Sequence, residues 1–209
     1  FTTPMLTEDF RWLSTPCTYV EFELVSADGK EHNATVYFDI GTDWSVNVEK
    51  QVVKWERLES PDGLTLLKAG TVEQPILEKP GDNIRIDWGY VYLVSRTGQT
   101  SQTGQTGQTG QTSQMGQTVI AERKVAVDSF AHQGTLPDKD DAESPRAVED
   151  RPVALSVSVP IVVPAQGRES SYIVIAYDDI YSIEFMHEKL RPWYWKEYGE
   201  NFVSLLDAV

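Results

Sequence analysis

Val153-Ala-Leu-Ser-Val-Ser-Val-Pro-Ile-Val-Val163 alternates branched apolar residues with small ones along its length. Because successive side chains of a β-strand point to opposite faces, Leu155 and Val157 would share one face and Ser156 and Ser158 the other. A strand with one large apolar face and one face of small residues packs well between two neighbours. We therefore predict that this stretch is a central strand of the hydrophobic core.

The same two-residue period recurs through most of the chain. Alternating runs at 19–24 and 33–40 flank Asp28-Gly29, a dipeptide typical of tight hairpins, so we expect these two runs to pair antiparallel. Gly89, within a further run, indicates a bulge or a close backbone approach. The remaining strands are predicted at 44–48, 51–57, 64–71, 84–94, 119–128 and 170–177.

Many short strands, and no helical pattern before the C-terminus, predict a mainly β fold, an antiparallel two-sheet β-sandwich. One short helix is predicted at the C-terminus, where apolar residues recur at three- and four-residue steps. These are Tyr198, Phe202, Leu205, Leu206 and Val209. Such a helix is stabilised mainly by packing, so we expect it to begin a helical domain that follows this chain. The predicted domains are a sandwich at 1–185 and a linker with that first helix at 186–209.

Two segments depart from the strand pattern. Residues 97–117 repeat a Thr-Gly-Gln triplet with no charged or aromatic side chain, and this composition predicts a mobile low-complexity loop inserted between two strands. Residues 134–151 are rich in Asp and Glu and contain Pro137 and Pro145, which predicts an exposed loop.

Charge and cysteine content argue against several functions. The chain has 18 Lys and Arg against 32 Asp and Glu, a formal net charge of −14, which repels nucleic acid and anionic membranes. No apolar run is long enough to span a bilayer. Cys17 is the only cysteine, so no internal disulfide forms.

Asp178 and Asp179 end a predicted strand and could suggest the carboxylate pair of a glycosidase. Neighbours in an extended segment point to opposite faces, however, which favours a structural role such as positioning the next turn. Contact with calcium or a substrate is the alternative. The three histidines lack the spacing of a zinc site, and no serine lies in a Gly-x-Ser-x-Gly turn. The sequence thus predicts no catalytic residue, metal site or cofactor.

Tryptophan and tyrosine residues form either a platform for sugar rings or part of the core. Ile86, Trp88 and Tyr90 would lie on one side of the run 84–94, which favours a packed face. We therefore predict that Trp88 is buried together with Ile86 and Tyr90.

Trp193 and Trp195 follow Pro192, which breaks the chain between the sandwich and the C-terminal helix. This position predicts a linker that attaches the helix through aromatic side chains. Trp193 and Trp195, with Asp178 and Asp179, are the candidates for ligand binding.

Eight stretches in order along the chain resemble the N-terminal domain of the glutaminase A family. They are Phe1-Thr-Thr-Pro4, Thr18-Tyr-Val-Glu-Phe22, Ser26-Ala-Asp-Gly-Lys-Glu-His32, Val36-Tyr-Phe-Asp39, Gly70-Thr-Val-Glu-Gln-Pro75, Ile84-Arg-Ile-Asp-Trp-Gly-Tyr90, Gly134-Thr-Leu-Pro137 and Ala176-Tyr-Asp-Asp-Ile-Tyr-Ser-Ile-Glu184. The resemblance implies a β-sandwich that precedes a six-helical-hairpin domain like those of glycoside hydrolases, in a secreted or periplasmic protein. The Thr-Gly-Gln tract has no counterpart, and no catalytic residue can be transferred.

The function implied is that of a non-catalytic N-terminal module whose parent hydrolyses L-glutamine to glutamate and ammonia. Its partner would be the downstream helical domain of the same polypeptide. The alternative is a carbohydrate-binding or structural sandwich of a glycoside-hydrolase-like protein, with a small molecule or a glycan as its ligand.

Overall fold

Two antiparallel sheets pack as a sandwich in the computed structural model, which describes residues 1–60, 63–96, 116–199 and 202–207. The mainly β sandwich with a short C-terminal helix is therefore confirmed. The predicted loop at 97–117 lies almost wholly outside the described residues. The strands are β1 Cys17–Leu24, β2 His32–Gly41, β3 Val52–Glu59, β4 Leu64–Thr71, β5 Tyr90–Arg96, β6 Gln117–Glu122, β7 Arg146–Ala147, β8 Val153–Val163, β9 Glu169–Asp178, β10 Ile183–Phe185 and β11 Glu188–Leu190.

One sheet has six strands in the order β1-β9-β5-β4-β3-β7, the second has the order β2-β8-β6, and β10 and β11 form a separate hairpin. The helices are α1 Phe10–Ser14, a 3₁₀ helix at Thr42–Ser45, α2 Arg123–Gln133, α3 Tyr194–Tyr198 and α4 Phe202–Asp207. In the described parts of the chain, no helix combines the length and the hydropathy that a membrane span requires.

The prediction of a central strand at β8 is confirmed. It pairs with β2 on one side and β6 on the other, and Leu155 and Val157 lie fully buried in the core between the sheets. Ser156 and Ser158 are buried as well, so small side chains occupy the other face of this strand. The alternation of large and small residues is thus explained by burial on both faces.

The predicted hairpin between 19–24 and 33–40 is wrong, because β1 pairs with β9 while β2 pairs with β8 in the other sheet. The Asp28 carboxylate accepts hydrogen bonds from the backbone N–H of Lys30 at 3.0 Å and the hydroxyl of Ser26 at 3.0 Å, and contacts the ring of His32 at 2.7 Å. The hydrogen bond to His32 is the main reason that the pKa of Asp28 falls to about 2. These contacts stabilise a loop that crosses between sheets.

Two predicted strands contain helices instead. The predicted strand at 44–48 overlaps the end of the 3₁₀ helix Thr42–Ser45. A 2.8 Å hydrogen bond from the Ser45 hydroxyl to the Thr42 carbonyl closes this helix. The run 119–128 is a strand only to Glu122, after which α2 begins. The two-residue spacing of Val125 and Val127 is that of a strand, but both side chains are exposed. The buried residue of α2 is Ala126.

The predicted strand at 84–94 begins only at Tyr90. Gly89 adopts a left-handed φ of 76°, and a Cβ there would lie 2.1 Å from the carbonyl oxygen of Asp178, so the predicted close approach is confirmed. Trp88 is buried as predicted, at 7% exposure, but Ile86 is 43% exposed and Tyr90 is only half-buried, so the three residues do not form one buried face. The side chain of Gln74 bonds both backbone groups of Gly89 and fixes this turn.

The acidic loop at 134–151 is partly buried rather than simply exposed. Arg57 donates to both carboxylate oxygens of Asp140 at 2.8 Å. Arg146, which is buried, donates to Asp141 at 2.6 Å, and the indole of Trp55 donates to the Asp141 carbonyl at 2.9 Å. Arginine–carboxylate pairs therefore hold this loop on the sandwich edge.

The apolar stripe of the C-terminal helix packs on the sandwich itself. We had expected its packing surface to lie in a helical domain that follows this chain. Phe202, Leu205 and Leu206 are buried on the outer face of the six-stranded sheet in one cluster with Leu66 and Tyr92. That face is apolar and covers these three residues of α4. Val209 lies outside the described residues, and the domain boundary at 185 stays a prediction.

Candidate functional site

A cleft of about 380 Å³ lies between the C-terminal helices and the outer face of the six-stranded sheet. It brings together two of the four candidate residues, Asp178 and Trp195. Its other polar and aromatic walls come from β4, β5 and the linker before α3. The charged and aromatic residues that line it include Lys68, Tyr90, Tyr92, Asp178, Arg191 and Trp195.

Asp178 is the last residue of β9 and is only 5% exposed. Its carboxylate accepts hydrogen bonds from the backbone N–H of Ile180 at 3.0 Å and from the hydroxyl of Tyr194 at 2.8 Å. Burial raises the pKa of this carboxyl, and these hydrogen bonds oppose that rise only in part. Trp195 also lowers the pKa, although its buried indole N–H makes no well-formed hydrogen bond.

Asp179 reaches the same hydroxyl, at 3.2 Å, and accepts a second hydrogen bond from Ser182 at 2.7 Å. The expectation that the two carboxylates point apart is therefore wrong. The strand ends at Asp178 and Ile180 has a left-handed φ of 59°, so strand alternation no longer applies. We call Asp178, Asp179 and Tyr194 the tyrosine clasp.

Tyr194 is the part of the clasp that belongs to the C-terminal helices. Burial, together with the charges of Asp178 and Asp179, raises the pKa of its hydroxyl. The phenol therefore stays protonated and donates its hydrogen to the carboxylates. Because Tyr194 lies on α3 and Asp178 on β9, the clasp attaches the helices to the sheet.

Lys68 is the single charged residue of strand β4. Its ammonium lies 2.7 Å from Glu56 on the neighbouring strand and 4.0 Å from the ring centroid of Tyr90. The ion pair and the cation–π contact both orient the lysine in the cleft. A lone charge in a buried strand was the sequence signal that could have identified this residue.

Arg191 covers the cleft from the linker side. Its guanidinium lies 3.8 Å from the ring centroid of Trp195 and 4.8 Å from that of Tyr181. Stacked on two rings, it shields the side of the cleft nearest Trp195. Nothing in the sequence around Arg191 marked it beyond the neighbouring proline.

Trp193 lies outside this cleft. Its ring packs 5.5 Å from the ring of Phe10, and the ammonium of Lys196 lies 3.8 Å from its centroid. These contacts join α1 to α3. Of the four candidates, Asp178 and Trp195 line the cleft, Asp179 completes the clasp, and Trp193 attaches a different pair of helices.

The charged groups of the cleft all have partners that position them. Asp178 is held by Tyr194, Lys68 by Glu56, and Arg191 by aromatic rings. Such an arrangement fixes the geometry of the helices on the sheet and leaves a small polar recess between them. Its chemistry fits support and orientation better than proton transfer.

Replacing Asp178 with Asn should change how stability depends on pH. In the folded protein the pKa of Asp178 is raised above its ordinary value of 3.8. The stability that this group contributes is therefore fully present below the pKa of the unfolded state, and it is lost as pH rises through the pKa of the folded state. Asn does not titrate and still accepts hydrogen bonds. The variant should therefore gain stability relative to the original protein as pH rises through that window, measured as melting temperature against pH.

Asp128→Asn provides the control of opposite sign. The hydrogen bond from Lys124 lowers the pKa of Asp128, so its contribution is present above the unfolded pKa and lost as pH falls. This variant should lose stability relative to the original as pH rises. If the melting temperature relative to the original protein changed with pH in the same direction in both variants, the assigned environment of Asp178 would be wrong.

Comparison with known proteins places the chain in a family. Residues 1–209 match the family described as a domain of unknown function, DUF5127. The chain belongs to this family. Over 92 residues, this DUF5127 chain is 26% identical to the protein named Glutaminase A of Aspergillus oryzae (strain ATCC 42149 / RIB 40).

The aligned region covers 44% of the DUF5127 chain and 13% of the Aspergillus protein. The match thus spans a small part of that relative's length. At this identity and coverage it indicates a related domain, in agreement with the resemblance seen in the sequence at that coarse level.

Proposed function

We propose that this domain is the non-catalytic N-terminal module of a glutaminase-like amidohydrolase. The observation that carries the proposal is the tyrosine clasp, in which two carboxylates of the sheet hold one hydroxyl of the C-terminal helices. The similarity to a protein named Glutaminase A supports the choice of parent enzyme. The parent would hydrolyse L-glutamine to glutamate and ammonia.

The proposed role is to orient a helical domain on the C-terminal side of the sandwich. Residues 1–185 form the platform, and 186–209 form the linker and the first helix of that helical domain, which is the partner of the platform. Phe202, Leu205 and Leu206 fix α4 against the sheet, so a segment attached to α4 would leave the sandwich in a defined direction. A secreted or periplasmic location belongs to the same proposal.

Ammonia release from L-glutamine tests this function. The complete polypeptide that contains the domain should turn over at a rate within about 1–10³ s⁻¹, the usual range for enzymes, while residues 1–209 alone should stay at background. In the complete polypeptide, Tyr194→Phe should lower the temperature at which activity is lost, because the helices lose their hydrogen bonds to the sheet.

Phe185→Ala, on the exposed β10–β11 hairpin, is the matched aromatic control and should leave that temperature unchanged. Activity of residues 1–209 that disappears in Asp178→Ala would show that the domain is itself the enzyme. A complete polypeptide that releases no ammonia would refute the glutaminase-like assignment.

A further inference from the structure

A second cleft, of about 420 Å³, lies between the 3₁₀ helix and residues 85–86. Its lining residues are Asp43, Trp44, Arg85, Ile86 and Tyr177, and none of them lines the cleft beside the C-terminal helices. This volume is within the range of about 300–1,000 Å³ that is usual for small-molecule sites. The two clefts are therefore separate sites with different chemistry.

Trp44 lines the second cleft and is 54% exposed, whereas Trp55 and Trp88 are buried and donate hydrogen bonds to backbone carbonyls through their indole N–H groups. The turn that carries Trp44 is rigid, because Thr42 and Ser45 on either side are buried and hydrogen-bonded to each other. The fold thus holds a large indole face towards solvent on a fixed support.

The opposite wall is also held in place. The backbone N–H of Arg85 donates to the side chain of Asn47 at 3.1 Å, which ties this segment to the chain just after the 3₁₀ helix. The buried carboxylate of Asp87 accepts from Gln51 at 2.7 Å and from Lys79 at 2.6 Å. A cleft with two fixed walls loses little conformational entropy when a ligand binds.

Asp43 and Arg85 supply the polar groups. Within the part of the chain that the structure describes, neither side chain forms a hydrogen bond or an ion pair with another residue. The Asp43 carboxylate folds back against Gly41, where a Cβ would lie 2.0 Å from its Oδ1. An acceptor and a donor are therefore available beside the exposed indole.

We propose that this cleft binds a neutral pyranose sugar. The C–H face of the ring would stack on Trp44, because the negative face of an indole attracts weakly positive C–H groups. Its hydroxyls would donate to Asp43 and accept from Arg85. An acidic sugar fits less well, since Asp43 and the net charge of −14 repel it. This site does not depend on whether the parent protein hydrolyses glutamine.

Titration of the 209-residue chain with defined sugars tests the proposal. The probes are cellotetraose, mannotetraose and maltotetraose, with tetragalacturonic acid as the anionic counterpart, followed by calorimetry. At least one neutral tetrasaccharide should bind, and more tightly than the acidic one. Trp44→Ala should weaken binding about tenfold or more, as expected for the aromatic centre of a binding site.

Two further variants test the polar groups and the specificity of the effect. Gly41→Ala keeps the Asp43 carboxylate but displaces it, so it should weaken binding as Asp43→Ala does, while both keep the original melting temperature to within a few degrees. Phe185→Ala removes an exposed aromatic outside the cleft and should bind as the original does. The proposal is overturned if no neutral sugar binds, if Trp44→Ala binds unchanged, or if Phe185→Ala weakens binding equally.

Discussion

Replacing Leu205 with Ala should lower the free energy of unfolding by about 2–5 kcal/mol, the usual range for a buried leucine. Leu205 is 0% exposed, and its side chain packs from α4 against the outer face of the six-stranded sheet. Its truncation removes apolar contacts with that sheet and leaves a cavity. Urea unfolding followed by circular dichroism measures the effect.

Val125→Ala is the matched control for Leu205→Ala. It also truncates an aliphatic side chain on a helix, but Val125 is exposed on α2, so the change should stay within about 0.5 kcal/mol. A Leu205→Ala variant as stable as this control would show that α4 is not packed on the sheet. The partner of the helical stripe would then have to be sought outside the sandwich.

The case of α4 shows what hydrophobic periodicity can and cannot predict. The spacing of Phe202, Leu205 and Leu206 correctly identified a buried helical face, because the side chains on one face of a helix recur every three or four residues. It carried no information on which surface covers that face. The covering surface consists of residues far away in sequence, including Leu66 and Tyr92, which only the folded chain brings together.

The prediction of strand pairing failed because the partner strand is also distant in sequence. The bounds of β8 follow from local alternation and were predicted correctly, and those of β4 were correct as well. The partner of β1 is β9, far along the chain, and the turn dipeptide at Asp28-Gly29 could not reveal this. Helix α2 was missed because its apolar residues Val125 and Val127 do not form a buried stripe.

Prediction of the site was limited by the geometry at the end of a strand. Asp178 and Asp179 were recognised as candidates, but strand alternation placed them on opposite faces. The left-handed residue Ile180 ends the strand geometry, and both carboxylates then reach Tyr194. A positive φ at a branched residue is uncommon, so no local pattern indicated it at this position.

Trp88→Ala should lower the free energy of unfolding by about 3–5 kcal/mol, the usual cost of truncating a buried aromatic side chain. Trp88 is 7% exposed, and its indole donates a 3.2 Å hydrogen bond to the Tyr181 carbonyl. The truncation leaves a cavity and removes that hydrogen bond next to the turn at Gly89. Chemical unfolding monitored by circular dichroism measures the loss without relying on tryptophan fluorescence.

Trp44→Ala makes the same chemical change at an exposed position. Comparing it with Trp88→Ala distinguishes a tryptophan that stabilises the core from one that binds a ligand. Burial contributes to stability in proportion to the apolar area removed from water, so the exposed Trp44 should cost far less than Trp88. Sugar binding should show the reverse order, weakened about tenfold or more in Trp44→Ala and retained in Trp88→Ala under conditions where that variant is folded. A stable Trp88→Ala variant that no longer binds sugar would instead place the ligand at Trp88 and contradict its assignment to the core.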